Sequence, residues 1–447
     1  MTSRAPMKPW KKEWLVCMGA LVAAAAIGLL APQAPPVVAG SAPINSGDVA
    51  WMLTATALVL LMTPGLSFFY GGMVQRKNVI STMLQSFICM GILSVFWIVA
   101  GFSLAFGDSI HGLIGNPMTY FMFKGVGAAT NPDLAPTIPL ALFAMFQLKF
   151  AIITPALITG SFAERVRFSS YLLFVLLFSV CIYCPLAHWT WHPDGFLHKW
   201  GVLDFAGGTV VHMSAGFAAL AGAIFLGPRK AHKTQTHAPA NIPFVLLGTG
   251  MLWFGWFGFN AGSAGAANAT AVSAFITTNT ASAAAMLAWV FFDAVRGRRP
   301  SAMGACVGAV VGLVAITPAA GYVSIGHSIA IGIAASVISN LAVQRKLRSM
   351  LDDTLDVFPC HGVGGIVGMI ATGIFAFKDG LIYGSATLFL KHLAATAIVG
   401  AFSFFGSYAL YMISDSVITL RVRPEQEELG LDISQHDESL DEAVHAH

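Results

Sequence analysis

The chain has 447 residues, of which 10% are charged and 56% hydrophobic. Ordinary soluble domains carry about 25% charged residues and disordered chains far fewer apolar ones, so both classes are excluded. A net charge of +3 with no basic run leaves no footprint for nucleic acid, and the composition points to a protein of the lipid bilayer.

The N-terminus places Lys8, Lys11 and Lys12 before an apolar stretch from Leu15 to Ala31, followed by Val37-Val38-Ala39. A basic segment, an apolar segment and a small-residue site together read as a signal peptide over 1–39, cleaved after Ala39. An uncleaved extra helix is the alternative, and the Pro-rich stretch at 32–36 argues against it. Residues 40–414 then read as a membrane domain. Apolar runs long enough to span a bilayer fall at about 49–74, 78–106, 136–162, 168–187, 205–227, 241–262, 266–292, 301–320, 324–344, 357–377 and 385–414. They are continuously apolar rather than alternating, which excludes a β-barrel. The predicted fold is an all-α polytopic membrane protein of eleven transmembrane helices.

Basic residues set the orientation. Alternate loops hold Arg76 and Lys77, Arg165 and Arg167, Arg229, Lys230 and Lys233, Arg296, Arg298 and Arg299, and Arg345, Lys346 and Arg348. The opposite loops hold only Lys124, Lys199 and Lys378. The mature N-terminus is therefore expected outside and the C-terminus in the cytoplasm. Eleven spans suggest two inverted five-helix repeats plus one. Ile153-Thr154-Pro155-Ala156 and Ile316-Thr317-Pro318-Ala319 lie five spans apart, as do His212 and His361.

Ionisable groups inside the bilayer are costly and point to function. Lys149, Asp204, His212 and His361 stand out. Two imidazoles at matched places can hydrogen-bond each other, line a narrow pore and relay a proton. Metal binding is the competing use, but two histidines without a carboxylate or thiolate partner make half a zinc shell, with Cys360 the one neighbour that keeps the option open. Cys181-x-x-Cys184 has redox or metal spacing but no second pair, and reads as packing. No His-Glu-x-x-His or Gly-x-Ser-x-Gly supports a membrane hydrolase. Asp204 suits a helix N-terminal cap, and its field favours a nearby cation. Phe146 and Phe150, four residues apart, share a helix face; so do Phe259 and Ser263. Aromatic faces attract desolvated cations, and a serine oxygen adds an acceptor. Trp191, read as part of an outer loop, also fits a headgroup-level aromatic belt.

These residues carry a family resemblance. Asp204-Phe205-Ala206-Gly207-Gly208-Thr209-Val210-Val211-His212 resembles the signature of the ammonium transporter (Amt) family. Gly255-Trp256-Phe257-Gly258-Phe259-Asn260-Ala261-Gly262-Ser263 and Asp356-Val357-Phe358-x-x-His361-Gly362 are similar to it too, as are Ser67-Phe68-Phe69-Tyr70-Gly71-Gly72 and Ala163-Glu164-Arg165. The resemblance runs from about residue 46 to the tail. It implies a homotrimer with one pore per subunit, no enzymatic activity and no cofactor. It further implies an ammonium recruitment site of Phe146, Trp191 and Ser263 with Asp204 beneath, a gate of Phe150 and Phe259, and pore histidines His212 and His361. Trp191 and Ser263 favour the bacterial Amt branch over the Rhesus type. Lys149 departs from the family, which usually has a small or apolar residue there; pore, lipid and interface placements are all open for it. The acidic stretch 415–447 reads as a cytoplasmic tail. Glu425-Gln426-Glu427-Glu428-Leu429-Gly430-Leu431-Asp432 resembles the family's regulatory segment, which implies a PII-type signalling partner. An ammonium sensor using the same site is the alternative function.

Overall fold

The computed structural model describes residues 12–30, 43–233 and 238–440. Lys8, Lys11, the Ala39 cleavage site, Asp441 and Glu442 lie outside the described residues. Helix α1 (Lys12–Leu30) has mostly exposed apolar side chains from Trp14 onward.

The bundle begins at α2 (Ser46–Met73), whose Asn45 cap accepts from the amides of Gly47 and Asp48. Then come α3 (Val79–Phe96), extended by a widened turn to Phe106, α4 (Leu140–Ile158), and α5 (Phe168–Phe178), continued through a second widened turn into α6 (Cys184–Trp191). Helix α7 (Ser214–Leu226) closes the first half. The second half comprises α8 (Ile242–Gly262), α9 (Ala269–Val295), α10 (Ala302–Ile316), α11 (Ile325–Arg348) and α12 (Gly364–Phe375). Asn241, Asn268, Ser301 and Ser324 cap α8 to α11 with side-chain oxygens on backbone amides. Helix α13 (Ala386–Val417) follows the repeats, and α14 (Pro424–Leu429) belongs to the tail. A two-stranded ribbon, Ser109–Ile110 against Ile114–Gly115, decorates one loop.

Ten helices among the described residues are long and apolar enough to cross a bilayer. The expected span at 301–320 differs: α10 has 15 residues, about 22 Å of helix against about 30 Å of hydrocarbon. Pro318 lacks the N–H needed to continue the ladder, and the chain turns through Ala319 to Tyr322. The span expected to stop at 187 instead continues as α6 to Trp191, so Trp191 is a helix end rather than a loop residue.

Small residues let the two halves approach. Gly65 and Gly248 bring α2 onto α8, and Gly255 and Gly258 extend that seam. At the centre, a Cβ on Gly216 would stand 2.2 Å from the Gly362 nitrogen, so α7 meets the second half backbone to backbone. Helices α4 and α10 fill the middle of the bundle and are almost wholly buried.

Candidate functional site

Each half carries its histidine on a widened helical turn, Gly208–Met213 for His212 and Phe358–Val363 for His361. Such turns cluster at functional sites. The first is built by Asp204. One carboxylate oxygen accepts from the amides of Gly207 (2.8 Å) and Gly208 (2.7 Å). The other accepts from the Thr209 amide (2.7 Å) and the Thr209 hydroxyl (2.5 Å). Gly207 has φ +116°, a conformation that favours glycine. Asp204 is therefore a helix cap with both oxygens occupied, buried behind the site wall. It is linked to the site through the Trp191 indole, whose N–H donates to the Asp204 carbonyl at 3.2 Å.

A cavity of about 170 Å³ opens above this turn, on the face opposite the basic loops, with Phe146, Phe150, Trp191, Phe205 and Ser263 in its wall. The Ser263 hydroxyl donates to the Phe259 carbonyl at 2.8 Å, which leaves its oxygen to accept. Phe146 meets Phe150 edge-on at 5.0 Å, and Phe150 meets Trp191 edge-on at 5.7 Å. Phe150 lines the cavity, and Phe259 stacks on it from outside the lining at 4.2 Å and 30°. Beneath them His212 lies 6.0 Å from Phe259, and the His212 and His361 rings are 5.4 Å apart. The two Nδ1 atoms approach to 3.3 Å, so a hydrogen bond between them needs one Nδ1 protonated and the other bare. Both rings are buried, and His212 Nε2 has no hydrogen-bond partner among the described residues. All eight residues expected from the sequence thus gather around one line through the bundle. Seven form its wall or bore, and Asp204 props it from behind.

Three further residues, two of them inside motifs already noted, were given no role from the sequence. Trp256 stacks on His212 at 5.3 Å and 18°. Thr317 accepts the Trp256 indole N–H at 2.9 Å. Asp353 caps the second turn by accepting from the amides of Val357 (3.1 Å) and Phe358 (2.7 Å). Its signal was its position: it precedes His361 by the same interval as Asp204 precedes His212.

Lys149 is 7% exposed and forms no part of the cavity wall, although Phe146, Gln147 and Phe150 do. Among the described residues it makes no ion pair. Cys184 is buried with its thiol toward the Gly101 carbonyl, while Cys181 is exposed, so the pair does not converge. No group of three His, Cys, Asp or Glu residues able to hold a metal occurs among the described residues.

At the basic face Arg229 holds two acids. Its Nη1 is 2.7 Å from Glu164, and its Nε and Nη2 contact the two Asp352 oxygens at 2.8 and 2.9 Å. Burial alone would raise the Asp352 pKa, but hydrogen bonds from Arg229 and the nearby Arg165 charge keep it well below the usual carboxylate range. Asp353 is pushed up to about 6, chiefly by burial, with the Lys346 charge opposing. The tail docks here. Leu420 and Val422 pair antiparallel with 165–167. Asp432 caps α3 through the amides of Ile80 (3.1 Å) and Ser81 (2.7 Å). The Lys77 ammonium donates to the carbonyls of Glu427 and Glu428, and Lys230 pairs with Glu428.

Comparison with known proteins decides the family. The sequence model of the Ammonium Transporter Family matches residues 50–440. The chain belongs to the ammonium transporter family. This family member is 46% identical over 407 residues to an ammonium transporter of Aquifex aeolicus, covering 90% of this chain and 94% of that one. It is 43% identical to an ammonium transporter of Mycobacterium tuberculosis, covering 88% and 90%. Its fold is similar to the crystal structure of Saccharomyces cerevisiae Mep2, with a TM-score of 0.83, 34% identity, and 90% and 93% of the two chains covered. It is similar also to a structure described as a sensor Amt protein, with a TM-score of 0.80, 31% identity, and 87% and 98% covered. The relatives are transporters rather than enzymes, and the bacterial Amt assignment agrees with them.

Proposed function

We propose that this chain carries ammonium across the membrane, as ammonia through the pore, with or without the accompanying proton. The cation is collected among Phe146, Trp191 and Ser263, with Asp204 shaping the site from below. Each aromatic face offers up to about 2 kcal/mol to a desolvated cation. Driving a bare cation onward through an apolar bore is far costlier than passing a neutral molecule, so ammonium is deprotonated on the way and its proton passes to the His212–His361 pair. The His212–His361 pair offers the neutral molecule polar contacts and the proton a route. Potassium has no proton to give up and is rejected.

The observation that carries this reading is an unbroken file of rings: Phe146, Phe150, Phe259, His212 and His361, with successive centroids 5.0, 4.2, 6.0 and 5.4 Å apart. The test is ammonium-evoked current in proteoliposomes. Replacing His212 by Ala is expected to abolish the current or its selectivity over potassium. An unchanged and selective current removes the relay.

A second reading is an ammonium sensor with little flux. It is supported by the likeness to the sensor Amt protein and by the tail's ties to Lys77, Lys230 and α3. Binding of ammonium without current would favour it. The transporter reading also includes a signal peptide at 1–39, a homotrimer in the cell inner membrane, the basic loops and tail in the cytoplasm, and a PII-type partner at the tail. Sequencing the mature N-terminus tests the first; a start at Met1 removes it. A pull-down with PII protein at varied ADP, ATP and 2-oxoglutarate tests the last, and no capture under any condition counts against it.

A further inference from the structure

The repeated Ile-Thr-Pro-Ala tetrad has no part in the pathway described above, yet its two copies are used differently. In both, the threonine hydroxyl donates to the carbonyl four residues earlier: Thr154 to Phe150 at 2.7 Å, Thr317 to Leu313 at 2.8 Å. In the second copy alone the threonine oxygen also accepts from a side chain on another helix, the Trp256 indole N–H. Because the Thr317 proton is committed to Leu313, its lone pairs face Trp256. The hydroxyl is thus a fixed acceptor rather than a free rotor.

What this acceptor holds matters. Trp256 is 2% exposed and lies parallel to His212, with Phe259 at 5.4 Å on its other contact. Among the described residues the His212 ring has one hydrogen-bonding contact, Nδ1 to His361, and its Nε2 has none. One hydrogen bond leaves an imidazole free to swing about that axis, so its plane is set by the faces packed on it. Trp256 supplies the most nearly parallel face. The same turn braces the first half at two more points. The Phe205 amide donates to the Pro318 carbonyl at 3.1 Å, and a Cβ on Gly208 would meet Pro318 at 2.6 Å. Thr317 and Pro318 therefore touch the cavity wall, the Asp204-capped turn and the ring that orients His212.

We infer that Thr317 is a positioning residue for conduction, fixing the Trp256 indole and through it the plane of the His212 imidazole. This rests on the proposed role of the histidine pair. Thr317 is not part of the cavity wall, so its effect falls on the passage step rather than on recruitment.

The test is ammonium current in proteoliposomes for Thr317→Val, Thr317→Ser, Trp256→Phe and the double variant Thr317→Val with Trp256→Phe, beside His212→Ala. Thr317→Val keeps the side-chain shape and removes the acceptor. Maximal current is expected to fall about tenfold, with the half-saturating ammonium concentration unchanged, as expected for the loss of one buried hydrogen bond. Thr317→Ser restores current to within about twofold, because the acceptor returns. Trp256→Phe gives the same fall, and the double variant no further one, since both remove a single bond. Wild-type current in Thr317→Val, while His212→Ala is impaired, overturns the inference and leaves the pore reading standing. Thr317→Val and Thr317→Ser falling together, with lowered melting temperatures, also overturns it, as that marks a packing role. Unchanged selective current in His212→Ala instead brings down the pore reading, and the inference with it.

Discussion

Asp204 and Asp353 do the same work in the two halves of the bundle, in opposite surroundings. Each precedes a buried histidine by eight residues, and each places its oxygens on the first amides of a widened turn. Around Asp204 every hydrogen-bonding partner is uncharged: three amides, a hydroxyl and nothing ionic among the described residues. Near Asp353 lie Lys346, Asp356, Asp352, Arg229 and Arg165. The repeat preserves the scaffold and lets the charge differ. On the cavity side a dense ion network would compete with a passing cation. On the basic face the same network fastens loops and tail.

The contrast can be broken experimentally. The largest effect is expected at Asp204, where nothing else can take up the freed donors. Asp204→Ala should destabilise the purified protein by about 3 kcal/mol or more, read as a collapse in folded yield or melting temperature. Retention of wild-type melting would mean that water replaces the cap. Arg229→Ala comes next, at about 3 kcal/mol, because it leaves Asp352 and Glu164 buried without their cation. Its pH profile sharpens the point. A carboxylate held low in the folded state contributes stability above about pH 4 that is lost as pH falls through its depressed value. Wild type should show that acid loss and Arg229→Ala a clearly smaller one, with the Arg165 charge alone remaining beside Asp352.

Asp353 has the opposite sign. Its folded pKa, about 6, lies above the unfolded value of about 3.9, so ionising it costs stability. That cost grows as pH rises from about 4 to about 6 and is then constant. Lowering pH from 7 to 5 should therefore stabilise wild type by about 1 kcal/mol relative to Asp353→Asn. Parallel melting curves for the two would contradict it. The smallest effect is expected at Lys149. Since it lies off the cavity wall, Lys149→Met should change ammonium flux by less than about twofold; a larger gain would restore repulsion of the incoming cation.

How much of this was legible in the sequence follows the same division. Asp204, His212 and His361 stood out because ionisable residues are rare in apolar runs, and the aromatic residues of the cavity followed from four-residue spacings and the family resemblance. Trp256 and Thr317 were quoted within motifs but their roles were hidden, since a tryptophan in an apolar helix resembles any packing residue and a hydroxyl reveals nothing until its acceptor geometry is seen. Asp353 was masked by its neighbours: in Asp352-Asp353-Thr354-Leu355-Asp356 one acid looks like another, and only the fold separates the ion-paired Asp352 from the capping Asp353. The shortness of α10 was missed because the apolar run continues past Pro318 while the helix does not. The docked tail was foreshadowed by Glu425 to Asp432, but its pairing with 165–167 is a long-range contact that no local pattern announces.

The backbone contact between Gly216 and Gly362 bears on biosynthesis. Nearly 150 residues of chain separate them, so the first half is made and inserted while its groove for the second is still empty. The groove must stay open until Gly362 arrives and must then accept a partner without even a methyl group between them. A side chain at either glycine would block closure of the two halves during assembly, before the site between them is formed. The join therefore leaves no side chain to cushion a mismatch between the two halves as they close.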